Sequence, residues 1–158
     1  MSRQSRRGLY AAIAIIIIVI VIIVGVFAYM SSISPSSNAN AIQITLYAGE
    51  VSTTSYGFGN SSSSIASPGP TLTLKVGQAY TVTVNNAGTM PHGWEITAQK
   101  ATGSQVLFGA QIAPTSYLSP GASGSVTFTP DIAGNYYYIC PVPGHVGLGM
   151  WGNIVVTS

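Results

Sequence analysis

The chain has 158 residues, and 5% of them are charged, against roughly 25% in an average soluble domain. The formal charge is +2, but from Ala41 onward Lys75 and Lys100 oppose Glu50, Glu95 and Asp131, which leaves one net negative charge. That excludes a nucleic-acid binder relying on clustered Lys and Arg, while abundant Val, Ile, Leu, Tyr and Thr in alternating patterns exclude a disordered tract.

Residues 1–7 carry Arg3, Arg6 and Arg7, and an apolar run follows from Gly8 to Met30. About 20 apolar residues cross the hydrocarbon layer, whereas the core of a cleaved signal has roughly 7 to 15. The run therefore predicts a transmembrane helix over 8–30. A cleaved secretory signal is the alternative, with small residues such as Ala39 and Ala41 downstream. Positive residues stay on the cytoplasmic side, so the remaining chain is expected on the extracellular or periplasmic side. Residues 31–40, rich in Ser and Asn with Pro35, read as a flexible tether.

Residues 41–158 have room for one domain. Short strands are expected at 42–48, 71–76, 80–85, 93–97, 125–129, 135–139 and 152–157. In Tyr80-Thr81-Val82-Thr83-Val84-Asn85, apolar and polar residues face opposite sides of a pleat. Gly and Pro punctuate the gaps at Pro68-Gly69-Pro70, Gly77, Pro120-Gly121, Pro130 and Gly134. Strands at this spacing predict an all-β, antiparallel Greek-key β-sandwich. The Ser-rich stretch from Ser52 to Ser67 reads as an excursion or a bulged edge strand, with Tyr56 and Phe58 available to cover an open end of the sandwich. Tyr136, Tyr138 and Cys140 share one strand face, and the tyrosines, like Trp94 and Trp151, are expected to serve packing.

Cys140 is the sole cysteine, so no internal disulfide can form. In an exported domain it calls for an intermolecular bridge, burial as an inert residue, or service as a metal ligand. Its neighbours bear on the choice. Cys140-Pro141-Val142-Pro143-Gly144-His145-Val146-Gly147-Leu148-Gly149-Met150 spaces a thiol, an imidazole and a thioether evenly along a Pro- and Gly-rich loop. Soft sulfur donors with imidazole select copper, and two His, one Cys and a weak axial Met form the blue-copper electron-transfer arrangement. The second imidazole can come only from His92, between Met90-Pro91 and the strand at 93–97. The candidate metal ligands are therefore His92, Cys140, His145 and Met150, for one type 1 copper ion.

On these residues the chain resembles the cupredoxin family. The step of four residues between Cys140 and His145, and again between His145 and Met150, is similar to that of the rusticyanin and archaeal sulfocyanin branches. The run from Pro68 to Gly77, Asn85, and Met90-Pro91-His92 also match the family pattern, so the resemblance covers about 68–158. It implies a cupredoxin-like fold and an electron carrier rather than an enzyme, with His145 as a near-surface electron port. Pro143, Val146 and Leu148 would form an apolar docking patch. The implied partners are membrane redox complexes of a respiratory chain, a terminal oxidase or a cytochrome, with no small-molecule substrate. Gly93 departs from the family, which often has Asn or Ser after the first His, and this puts the outer hydrogen bonds of the site in question. Copper nitrite reductases and multicopper oxidases need further histidines, and a dinuclear copper centre needs two cysteines. A copper storage or delivery module, or a metal-free sandwich, is the remaining rival.

Overall fold

The computed structural model describes residues 40–158. The basic segment, the span expected over 8–30 and the tether as far as residue 39 lie outside the described residues. Among the described residues no helix is long and apolar enough to cross a membrane.

Among the described residues nine strands form two sheets: β1 (Ile42–Ser52), β2 (Ser55–Gly59), β3 (Leu72–Lys75), β4 (Tyr80–Asn86), β5 (Trp94–Thr97), β6 (Val106–Ile112), β7 (Ser123–Phe128), β8 (Gly134–Ile139) and β9 (Trp151–Thr157). One sheet runs β2-β1-β4-β7 and the other β3-β9-β8-β5-β6. Alternation dictates what faces inward. In β4, Tyr80, Val82 and Val84 are buried while Thr81 and Thr83 are half-exposed, and the Thr81 hydroxyl lies 2.8 Å from that of Thr127 on β7. The core gathers Leu46, Ala48 and Phe58 from one sheet and Leu74, Trp94, Ile96, Tyr138 and Ile154 from the other. Each of the larger of these side chains removed from water contributes on the order of 1.5–3 kcal/mol. Trp94 and Tyr138 pack in the core as expected, and Trp151 also serves packing, half-exposed beneath the Lys100 ammonium, 4.0 Å from its ring.

The fold differs from the expected one in three respects. The sandwich is mixed rather than antiparallel: β1 pairs in parallel with β4, and β3 with β9. In both cases the intervening chain crosses to the other sheet and returns, so the partners run the same way. β1 also continues to Ser52, beyond the expected 42–48, and turns back through an irregular register into β2, which is the bulged edge strand offered for the Ser-rich stretch. There Gly57 and Gly59 let the backbone of 64–66 approach so closely that a Cβ at either would overlap it. Phe58 is buried in the core rather than at an open end. Finally, β6 forms an edge strand whose alternation is broken where Phe108 and Gly109 both take positive φ, at 56° and 64°.

Candidate metal centre

His92, Cys140 and His145 meet at one end of the sandwich, each offering one donor atom within 4.8 Å of the others. His92 stands two residues before β5, with Gly93 between, and is fixed by a bridge to Leu118, with its amide donating to the Leu118 carbonyl at 3.0 Å and its carbonyl accepting from the Leu118 amide at 2.7 Å. Cys140 follows the last residue of β8. The loop from 141 to 150 then folds back on itself: the His145 amide donates to Val142, the Met150 amide to His145, and the Cys140 amide to Met150, at 3.0–3.1 Å. Gly144 and Gly149 take φ of 87° and 90°, a region side chains rarely adopt, and so permit that path. Met150 is fully buried at the loop's end.

His92 Nδ1 and His145 Nδ1 face each other at 3.3 Å, and Cys140 Sγ lies 3.5 Å from His145 Nδ1. His92 and Cys140 are fully buried, and His145 retains 6% exposure. Burial, then the neighbouring His145, pushes His92 down to about 4, against the pull of the Glu50 carboxylate. Burial also lowers His145. The Cys140 thiol is pushed up to about 11 by burial, although backbone N–H groups of Gly93 and Val142 work the other way. Without a metal, then, the centre holds two neutral imidazoles and a neutral thiol at pH 7. A soft cation suits three such donors packed together and shut off from water.

Gly93 donates its N–H to Cys140 Sγ at 3.4 Å. A Cβ there would fall 2.9 and 3.0 Å from the ring carbons of Pro141. The family's usual Asn or Ser is therefore replaced by direct packing of Pro141 against a bare backbone. Three residues outside the sequence-based set support the ligand loops. Asn86 donates to the carbonyls of Met90 and Leu118, both at 2.8 Å. Glu50 accepts from the amides of Thr89 and Met90, clasping the turn before His92. Tyr56 stacks on His145 with ring centroids 4.4 Å apart. Met90, Pro91, Pro143 and Leu148 are exposed at the rim.

A family model described as copper binding proteins of the plastocyanin/azurin family matches residues 64–157. The chain is 34% identical over 93 residues to rusticyanin of Acidithiobacillus ferrooxidans, covering 55% of this chain and 50% of that protein. It is 50% identical over 46 residues to auracyanin-B of Chloroflexus aurantiacus, covering 29% and 20%. It thus spans about half or less of the length of these relatives. Among solved structures, a rusticyanin variant superposes with a TM-score of 0.55 at 25% identity, covering 76% of this chain and 80% of that one. Multicopper oxidases share the fold as well. With the matched stretch running through β3 to β9 and all of the buried donors, the chain belongs to the plastocyanin/azurin family of copper-binding proteins.

Proposed function

We propose that His92, Cys140, His145 and Met150 hold one type 1 copper ion, and that the chain is a membrane-anchored electron carrier. Its 41–158 domain, on the extracellular or periplasmic side, would pass single electrons between respiratory membrane complexes, from a cytochrome donor to a terminal oxidase. The observation carrying this reading is the convergence of both histidines and the only cysteine on one buried point. Bound copper would supply one-electron exchange between Cu(I) and Cu(II). The chain's part is to hold the donors still: β5, β8 and the cross-braced loop fix their backbones, and Tyr56 pins the His145 ring.

Of the two imidazoles only His145 reaches the surface, which suits it to be the electron port. Around it Met90 and Leu148 are 45% and 41% exposed, beside Pro91 and Pro143. A small apolar rim of this kind fits brief encounters with redox partners. Introducing Leu148→Asp is expected to slow electron transfer from a reduced c-type cytochrome by about tenfold, through desolvation of the new charge on docking, while leaving the copper potential unchanged. Stopped-flow mixing reads the rate; an unaltered rate would move the port elsewhere. No electron exchange by the copper-loaded wild type would favour storage or delivery. The rim offers such a module only Met90, and the enzyme reading lacks histidines for further copper ions.

Taking a metal onto Cys140 must expel the thiol proton, because a thiolate is the ligand. The imidazoles are already neutral at pH 7, so Cu(I) uptake is expected to release one proton per chain. Affinity should rise about tenfold per pH unit between pH 5 and the thiol's folded value, and fall more steeply as pH drops through the His92 value of about 4. Calorimetry in buffers of different ionisation enthalpy measures the proton; zero release would place the metal away from Cys140.

A further inference from the structure

The imidazole of His92 has two ends. Its Nδ1 faces the other donors, whereas its Nε2 is buried and has no hydrogen-bond partner in the protein. A buried N–H left unpaired costs about 1–3 kcal/mol, so this atom calls for a partner. Beside it lies Gly88, in the turn between β4 and His92. A Cβ on Gly88 would fall 3.0 Å from His92 Nε2 and 2.5 Å from Glu50 Oε2. Both atoms therefore border the same narrow gap on the bare side of Gly88, one that a Cβ would overfill, since it would also fall 2.9 Å from the Gly49 Cα. The two cannot be farther apart than those distances laid end to end, which is within the span of one bridging water, about two hydrogen-bond lengths.

The carboxylate is placed to serve. Its Oε1 accepts from the Thr89 amide and hydroxyl and from the Met90 amide, at 3.0–3.1 Å. Its Oε2 accepts only a share of the Thr89 amide, at 3.1 Å, and has lone-pair capacity left on the side of the gap. Burial alone would raise the Glu50 carboxyl, but hydrogen bonds from its own and the Thr89 backbone, from the Thr89 hydroxyl, and the nearby His92 hold it below its ordinary value. It is thus an anion at neutral pH.

We infer that Glu50 is a positioning residue for the copper site: across the gap that Gly88 keeps open, its carboxylate accepts the His92 Nε2–H hydrogen bond through one water molecule. This rests on His92 being a copper ligand. Fixing the proton on Nε2 leaves Nδ1 as the free donor atom, and an anion behind the ring strengthens that donor and favours the more highly charged oxidised ion. Glu50 thereby joins β1 of one sheet to a ligand carried by the other.

The test uses the full chain with Glu50→Gln, which retains an oxygen for the Thr89 and Met90 amides, and Gly88→Ala, which retains the charge but fills the gap. Glu50→Gln is expected to raise the copper potential by about 59 mV, a tenfold change in the ratio of reduced to oxidised protein at fixed poise. In nitrogen-15-labelled metal-free protein, both variants should exchange the His92 Nε2 proton with water at least about tenfold faster than wild type. Thr89→Val, which removes only the hydroxyl on Oε1, should leave the potential and the exchange unchanged. An unaltered potential and exchange rate in Glu50→Gln would overturn the inference. Were that variant not to fold, a wild-type His92 with its proton on Nδ1 would overturn it equally. A wild type without a blue Cu(II) band would count against the copper reading itself, and the metal-free exchange rates would still decide the role of Glu50.

Discussion

Cys140→Ser is expected to abolish the intense visible absorption of the Cu(II)-loaded chain and to weaken copper binding by at least about a thousandfold. Loss of an outer-shell partner typically costs 10–100-fold in metal affinity, and removal of a direct, soft donor must cost more. The serine hydroxyl is nearly the same shape and stays protonated at any accessible pH. The fold should survive, because Cys140 contributes little volume to the core and only its sulfur accepts the Gly93 N–H. Absorption spectra and competitive titration against a chelator read the two effects. A serine variant that keeps the colour would remove the thiol from the site.

Trp94→Ala is expected to cost about 3–5 kcal/mol, the usual range for emptying a large aromatic site. Trp94 is fully buried two residues after His92, its ring 6.1 Å from those of Tyr138 and Phe128. Tyr138 in turn stands two residues before Cys140 and is tied by its hydroxyl to the Pro70 carbonyl at 2.6 Å. The indole therefore packs together the two strands that deliver the imidazole and the thiol, β5 and β8, which also pair directly through Glu95 and Ile139. Domains of this size are commonly stable by only 5–15 kcal/mol, so the alanine variant should sit near the edge of folding. Trp94→Phe should cost no more than about 1.5 kcal/mol, since the indole N–H has no partner to lose and the ring is largely kept. Urea unfolding of both variants measures the difference; equal losses would mean that the indole N–H, not the ring, holds the core.

Much of this arrangement is legible in the sequence. The strand containing Val82 and Val84 and the one containing Tyr136 and Tyr138 announce themselves by alternation or aromatic content. Cys140, His145 and Met150 stand out because soft donors are rare in this chain and evenly spaced on one loop. His92 follows by elimination. What stays hidden has physical causes. Three of the five residues of β2 are glycine or serine, suited to close backbone approach rather than to strand propensity, and the alternation of β6 is interrupted by positive φ at Phe108 and Gly109. Parallel pairing of β1 with β4 depends on which sheet the intervening chain joins, and no local pattern records that. Glu50 and Tyr56 are of ordinary residue types and far from the ligands in sequence, so only folding brings them to the site; Asn86 lies six residues before His92, but nothing local marks its side chain as the brace of that turn. Gly93 reads in the sequence as a missing side chain; Pro141, packed over it, supplies the reason.

An electron carrier of this kind needs a single copper site that changes oxidation state without changing its ligands. The most direct measurement is a Cu(II) titration of the full wild-type chain followed by visible and electron paramagnetic resonance spectra. One intense band should saturate at one copper per chain, bleach on adding a one-electron reductant, and return in full on reoxidation. Saturation at a different stoichiometry, or a weak band that does not recover through the redox cycle, would contradict the account.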